Sequence, residues 1–70
     1  MKKQIAILGS TGSIGTQALE VIAEHPDLFE VYCLTANNKV EELARQARQF
    51  RPAAVIIANE EKYDHLKDLL

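Results

Sequence analysis

Gly9, Gly12 and Gly15 are the only glycines of this 70-residue chain, and they follow at a spacing of three directly behind the apolar run Ile5-Ala6-Ile7-Leu8. A strand that ends this way turns tightly at the first glycine. The second leaves room for a phosphate oxygen to approach the main chain, and the third lets the following helix pack closely on the strand. Phosphate then meets the free N–H groups and the positive end of that helix. Ser10, Thr11 and Ser13 place three hydroxyls among the glycines, which suits phosphate oxygens better than a turn built only to pack. Ile14, Ala18, Val21 and Ile22 then repeat at helical spacing. The pattern points to a nucleotide pyrophosphate.

A second group of polar residues stands where the next strand should end, in Leu34-Thr35-Ala36-Asn37-Asn38-Lys39. In NAD-binding units an acidic residue at this point accepts hydrogen bonds from the adenosine ribose hydroxyls. Here Ala36, Asn37, Asn38 and Lys39 supply amides and one cation instead, which suits a 2′-phosphate and favours NADPH over NADH. The same asparagines also fit the cap of the helix that follows.

The elements that must hold these two groups together read as βαβαβα. Strand one covers about residues 4–9, helix one runs from Gly12 to His25, and Pro26-Asp27 turns the chain into strand two at Glu30–Ala36. Helix two places Val40, Leu43, Ala44, Ala47 and Phe50 on one face, carries Glu41 and Glu42 in its first turn, and closes at Arg51-Pro52. Strand three is Ala54–Ala58. Asn59 then caps a third helix whose apolar side is Tyr63, Leu66, Leu69 and Leu70. This order implies a Rossmann-like α/β fold with a parallel sheet, helices one and two sharing a face through right-handed crossovers. Strands one and three are apolar without alternation, as strands covered on both faces are. Helix three is therefore expected to cross to the other face and lead toward a fourth strand beside strand one. On this reading residues 1–70 are the amino-terminal part of an incomplete doubly wound domain. A chain of this size buries only about 60% of its unfolded surface, so by itself it is expected to associate through the edge of strand one or the uncovered face.

Composition excludes several classes. The chain is 47% hydrophobic and 26% charged with a net charge of −2, has no basic stripe for nucleic acid and no apolar run that would span a bilayer. Lys2 and Lys3 lead into a first strand and not an export signal, so a cytoplasmic address is expected. Cys33, the only cysteine, reads as a small buried hydrophobe. His25 and His65 read as surface residues, and no His, Asp or Glu spacing resembles a metal site.

The string GSTGSIGTQALEVI, followed by HPDLFEVYCLTANNKVEELARQARQFRPAAVII, resembles the amino terminus of the 1-deoxy-D-xylulose 5-phosphate reductoisomerase family. Those are NADPH enzymes of non-mevalonate isoprenoid synthesis, and the resemblance covers essentially the whole chain. It implies rearrangement of 1-deoxy-D-xylulose 5-phosphate to an aldehyde, then hydride transfer giving 2-C-methyl-D-erythritol 4-phosphate. It implies Thr11, Gly12, Ser13 and Ile14 on the pyrophosphate and nicotinamide side of NADPH, and Asn37, Asn38 and Lys39 at the adenosine ribose and its phosphate. Many members carry Gly-Lys-Asn where this chain has Asn-Asn-Lys, so the cation falls one position later. The resemblance also implies a homodimer and a divalent metal, Mg²⁺ or Mn²⁺, held by acidic residues beyond position 70; no catalytic or metal-binding residue is expected here. Other readings compatible with the glycine turn are a semialdehyde or acyl-phosphate NADP reductase, a sugar-nucleotide epimerase, and a non-catalytic nucleotide-binding module.

Overall fold

Residues 2–70 are described by the computed structural model, in which three strands form one parallel sheet in the order β1-β2-β3. The strands are β1 (Lys3–Ile7), β2 (Phe29–Ala36) and β3 (Ala54–Ile57). Between them run helices α1 (Ser13–Glu24) and α2 (Val40–Phe50), and a 3₁₀ turn at Glu60–Lys62 leads into α3 (Tyr63–Leu69). Each element lies within a residue or two of its expected span. Asn59 caps the last helical segment as its type suggests, its side chain accepting from the Glu61 N–H at 3.0 Å.

Sheet register explains which residues face the core. Ile5 pairs with Val31, Ile7 with Leu34, Leu34 with Val55, and Ala36 with Ile57. These residues point toward the helices, where they meet Leu19 and Ile22 of α1, Leu43 and Ala44 of α2, and Leu66 of α3 in one cluster. The complementary pairs, Ala6 with Cys33 and Thr35 with Ile56, point the other way. A register shift between Ile5 and Ala6 inserts Tyr32 as an extra residue in β2 and keeps both ends of the strand in phase with the core.

Three expectations are corrected. Helix three does not cross to the uncovered face among the described residues. α3 lies beside α2 on the same side, with Leu66 in the shared core and the Arg48 guanidinium donating to the Leu69 carbonyl at 3.1 Å. Ala58 N–H donates to Ala36 O and Asn59 N–H to Asn37 O, which carries the β2–β3 pairing two residues past the strand, and from there Leu66 and Arg48 tie α3 to the covered face. The second correction concerns α1. Its buried stripe is Gly15, Leu19 and Ile22, while Ile14 and Val21 are 84% and 53% exposed. Cys33 is half-buried on the open sheet face and not enclosed in the core.

Candidate functional site

β1 ends at Ile7, and the chain passes through residues 8–12 before α1 begins, at the carboxyl end of the parallel strands. Open α/β sheets bind ligands at this end. Gly9 has φ +71, a left-handed conformation that side chains rarely adopt, and this lets the chain reverse over the strand end. At Gly15 a side chain is excluded outright: a Cβ would lie 2.4 Å from the Gly9 carbonyl oxygen and 2.7 Å from the Ser10 Cα. α1 therefore leans directly on the turn it follows.

Partners of the turn's N–H groups divide into two sets. Gly9 N–H donates to the Thr35 hydroxyl at 3.0 Å, Ser10 N–H to the Thr35 carbonyl at 2.8 Å, and Gly12 N–H to the Gly9 carbonyl at 3.1 Å. These three anchor the turn to β2 and to itself. The N–H groups of Thr11, Ser13, Ile14 and Gly15 have no hydrogen-bond partner among the described residues, and the first helical bond is Thr16 N–H to the Gly12 carbonyl. Gly12 is the residue before the helix, extended at φ −80 and ψ 173, and contributes no capping side chain. α1 thus begins with unpaired donors and an unneutralised positive dipole end. A diphosphate satisfies both.

Sequence expectation placed three hydroxyls around this mouth, and the structure corrects it to two. Ser13 is exposed and Thr11 half-buried, but Ser10 is wholly buried and its Oγ finds no partner among the described residues. Ser10 turns inward because its backbone is held between Thr35 on one side and Gln46 on the other. Gln46 Nε2 donates to the Ser10 carbonyl at 2.9 Å. Sequence reasoning passed over Gln46, which flanks the apolar stripe of α2; its only signal was a glutamine one residue before Ala47, on the side turned toward α1.

The polar group after β2 is brought to the same end of the sheet. Asn37, Asn38 and Lys39 are exposed, whereas Ala36 is 4% exposed with its side chain in the core. At this end of the strand Ala36 has only its backbone to offer a ligand. Asn59 enters the site as an addition. Its Oδ1 accepts from Glu61, which makes its Nδ2 the donor to Asn38 Oδ1 at 2.6 Å. Asn38 accordingly keeps its own Nδ2 free to donate. Asn38, Lys39, Glu41, Glu42, Lys62 and His65 line a groove of mixed charge between α2 and α3, and Lys39 makes no ion pair among the described residues.

A family model described as 1-deoxy-D-xylulose 5-phosphate reductoisomerase matches residues 5–70. The chain belongs to the 1-deoxy-D-xylulose 5-phosphate reductoisomerase family. Reductoisomerases from Phocaeicola vulgatus and Porphyromonas gingivalis are 76% and 63% identical to it over 70 residues, which is all of this chain and 18% of each relative. The chain therefore spans about a fifth of the length of the curated relatives it matches. The solved reductoisomerase from Zymomonas mobilis in complex with NADPH aligns with a TM-score of 0.96 at 36% identity, over all of this chain and 18% of that one. A reductoisomerase structure in complex with magnesium aligns with a TM-score of 0.91 at 32% identity, over 97% of this chain and 17% of that one. Among the described residues no three His, Cys, Asp or Glu side chains are grouped to hold a metal ion, and no helix is long and apolar enough to cross a membrane.

Proposed function

We propose that this chain forms the pyrophosphate- and adenosine-binding part of the NADPH site of a 1-deoxy-D-xylulose 5-phosphate reductoisomerase. The supporting observation is the set of unpaired N–H groups at Thr11, Ser13, Ile14 and Gly15 beside glycines that admit a ligand to the backbone. The NADPH complex of the Zymomonas relative, matched over the full length of this chain, supports the same cofactor here. When bound, NADPH supplies the hydride that reduces the rearranged sugar phosphate.

Every other contribution belongs to the chain's own residues. The amides of Thr11, Ser13, Ile14 and Gly15 orient the diphosphate through hydrogen bonds to charged oxygens, each stronger than a neutral pair. Gly12 leaves the backbone open to it. Asn37, Asn38 and Lys39 hold the adenosine ribose and its 2′-phosphate, with Asn38 Nδ2 as a donor fixed from behind by Asn59 and Lys39 as the cation. Gly9, Ser10 and Gly15 shape the turn. Ala36 closes the strand beneath it. Ile14, apolar and exposed beside the turn, offers an apolar surface to the nicotinamide side.

In the intact protein the reaction converts 1-deoxy-D-xylulose 5-phosphate to 2-C-methyl-D-erythritol 4-phosphate, in a cytoplasmic homodimer. The divalent metal of that reaction, Mg²⁺ or Mn²⁺, does not fit the residues described here, and no step is assigned to it. A semialdehyde reductase, an epimerase or a non-catalytic module is disfavoured by the family match over residues 5–70. Titrating the protein with NADPH and NADH by calorimetry tests the reading. Tighter binding of NADPH is expected; equal affinities, or no binding of either, would contradict it.

A further inference from the structure

Gln46 is the one polar side chain of α2 that is buried, 3% exposed, and it serves neither a cap nor a surface ion pair. Its Nε2 donates to the Ser10 carbonyl at 2.9 Å and lies 3.5 Å from Glu42 Oε1. Both neighbours are acceptors, which fixes the nitrogen end of the amide on this side. Its own Oε1 is buried without a partner among the described residues. A side chain placed for stability alone would be apolar here, beside Leu43 and Ala47.

The consequence lies one bond further on. Residues 10 and 11 are joined by a trans peptide, in which the carbonyl and the following N–H point in opposite directions. With the Ser10 carbonyl drawn inward to α2, the Thr11 N–H faces outward, and it is one of the unpaired donors of the mouth. Without Gln46 the Ser10 carbonyl is a buried acceptor lacking a donor, and turning that peptide over would satisfy it in water. That turn would withdraw the Thr11 N–H and present a carbonyl oxygen to an incoming anion. Thr35 cannot prevent it, because it holds only the other side of Ser10 through the Ser10 N–H.

We propose that Gln46 is a positioning residue for cofactor binding: from α2 it sets the Ser10–Thr11 peptide so that the Thr11 N–H is presented to the diphosphate of a dinucleotide. This rests on the NADPH reading above. Two substitutions test it. Gln46→Met keeps the volume and removes the donor; Gln46→Glu keeps the shape and turns a carboxylate oxygen toward the carbonyl. NADPH affinity is expected to fall about tenfold in Gln46→Met, the effect of one lost hydrogen bond to a charged group, and further in Gln46→Glu. The thermal midpoint of Gln46→Met is expected to fall only modestly, the lost bond to the Ser10 carbonyl being offset in part by removal of the unpartnered Oε1. In the absence of any nucleotide, the ¹H–¹⁵N resonance of Thr11 is expected to move in both variants while those of β2 and β3 remain in place.

Undiminished NADPH binding by both variants would overturn the proposal, as would affinity lost only together with the dispersed spectrum of the fold. If the unsubstituted protein fails to bind NADPH, the cofactor reading falls. The Thr11 resonance then decides this proposal by itself, and an unmoved signal in Gln46→Met rejects it.

Discussion

Gly15 and Asn37 are the residues whose replacement separates shape from charge most cleanly. A methyl group at Gly15 would meet the Gly9 carbonyl at 2.4 Å, and backbone on both sides leaves little room to give. Gly15→Ala should therefore cost about 1–3 kcal/mol of stability, as overpacking does, and weaken NADPH binding by displacing the turn; a chemical denaturation midpoint and a titration measure the two. Asn37 is exposed and can be changed without touching the core. Asn37→Asp puts a carboxylate where a 2′-phosphate would lie and offers an acceptor to a ribose hydroxyl, so the ratio of NADPH to NADH affinity should fall about tenfold or more for roughly 1.4 kcal/mol of repulsion. Ala36→Asp, which would restore the acidic residue of NAD-binding units at the strand end, would bury a charge and unfold the strand end before reporting on any cofactor. That difference marks the limit of sequence reading at this scale. Glycine spacing revealed the turn because only backbone conformation was at stake. The inward rotation of Ser10 and the reach of Gln46 depend on which way side chains point across two elements, and no spacing in a single chain encodes that.

Element ends were legible for similar reasons, since their causes are local. Pro26, Pro52 and Asn59 act on their own neighbours and were read correctly as stops and a cap. Asn59 also braces Asn38, so its removal should act twice. Asn59→Ala is expected to lower stability by about 1 kcal/mol through the lost cap, and to loosen Asn38 enough to reduce NADPH affinity with little effect on NADH, which a paired titration would reveal. Arg51 presents the opposite case: it ends α2 at φ 50 and ψ 56, a left-handed cap in which its N–H donates to the Ala47 carbonyl at 2.8 Å. A side chain in that conformation costs about 1–2 kcal/mol, partly offset by the greater freedom glycine loses on folding. Arg51→Gly should therefore raise the unfolding midpoint slightly; a fall would show that the guanidinium makes a contact the backbone does not suggest. Of the α1 positions read from periodicity, Ile22 is buried and Ala18 packs on the core, while Ile14 and Val21 obey the same periodicity and are exposed. What decides between the two sets is where the sheet lies, and Gly15 marks that side only once its contact with Gly9 is known.

Across the whole molecule, three helices lie on one face of a three-stranded sheet, and the shortest extent of the Cα trace is 15 Å, consistent with a single helix layer on a sheet about 10 Å away. Apolar runs in β1 and β3 suggested cover on both sides, yet Ala6, Cys33 and Ile56 face outward with no element over them among the described residues. Sequence recorded that those faces are apolar; it did not record what α3 would do, since α3 is held on α2 by Leu66 in the shared core and by the Arg48 guanidinium on the Leu69 carbonyl, contacts made across elements. This architecture gathers both polar groups at one end, the turn after β1 and the asparagines after β2, and leaves the opposite end to His25, Pro26 and Arg51. A cofactor held as proposed should touch only the first end. The most direct measurement is a ¹H–¹⁵N amide map of the protein recorded with and without NADPH. The largest downfield shifts are expected at Thr11, Ser13, Ile14 and Gly15, with smaller ones at Asn37, Asn38 and Lys39; saturable binding that leaves the four amides of the turn unmoved would contradict the account.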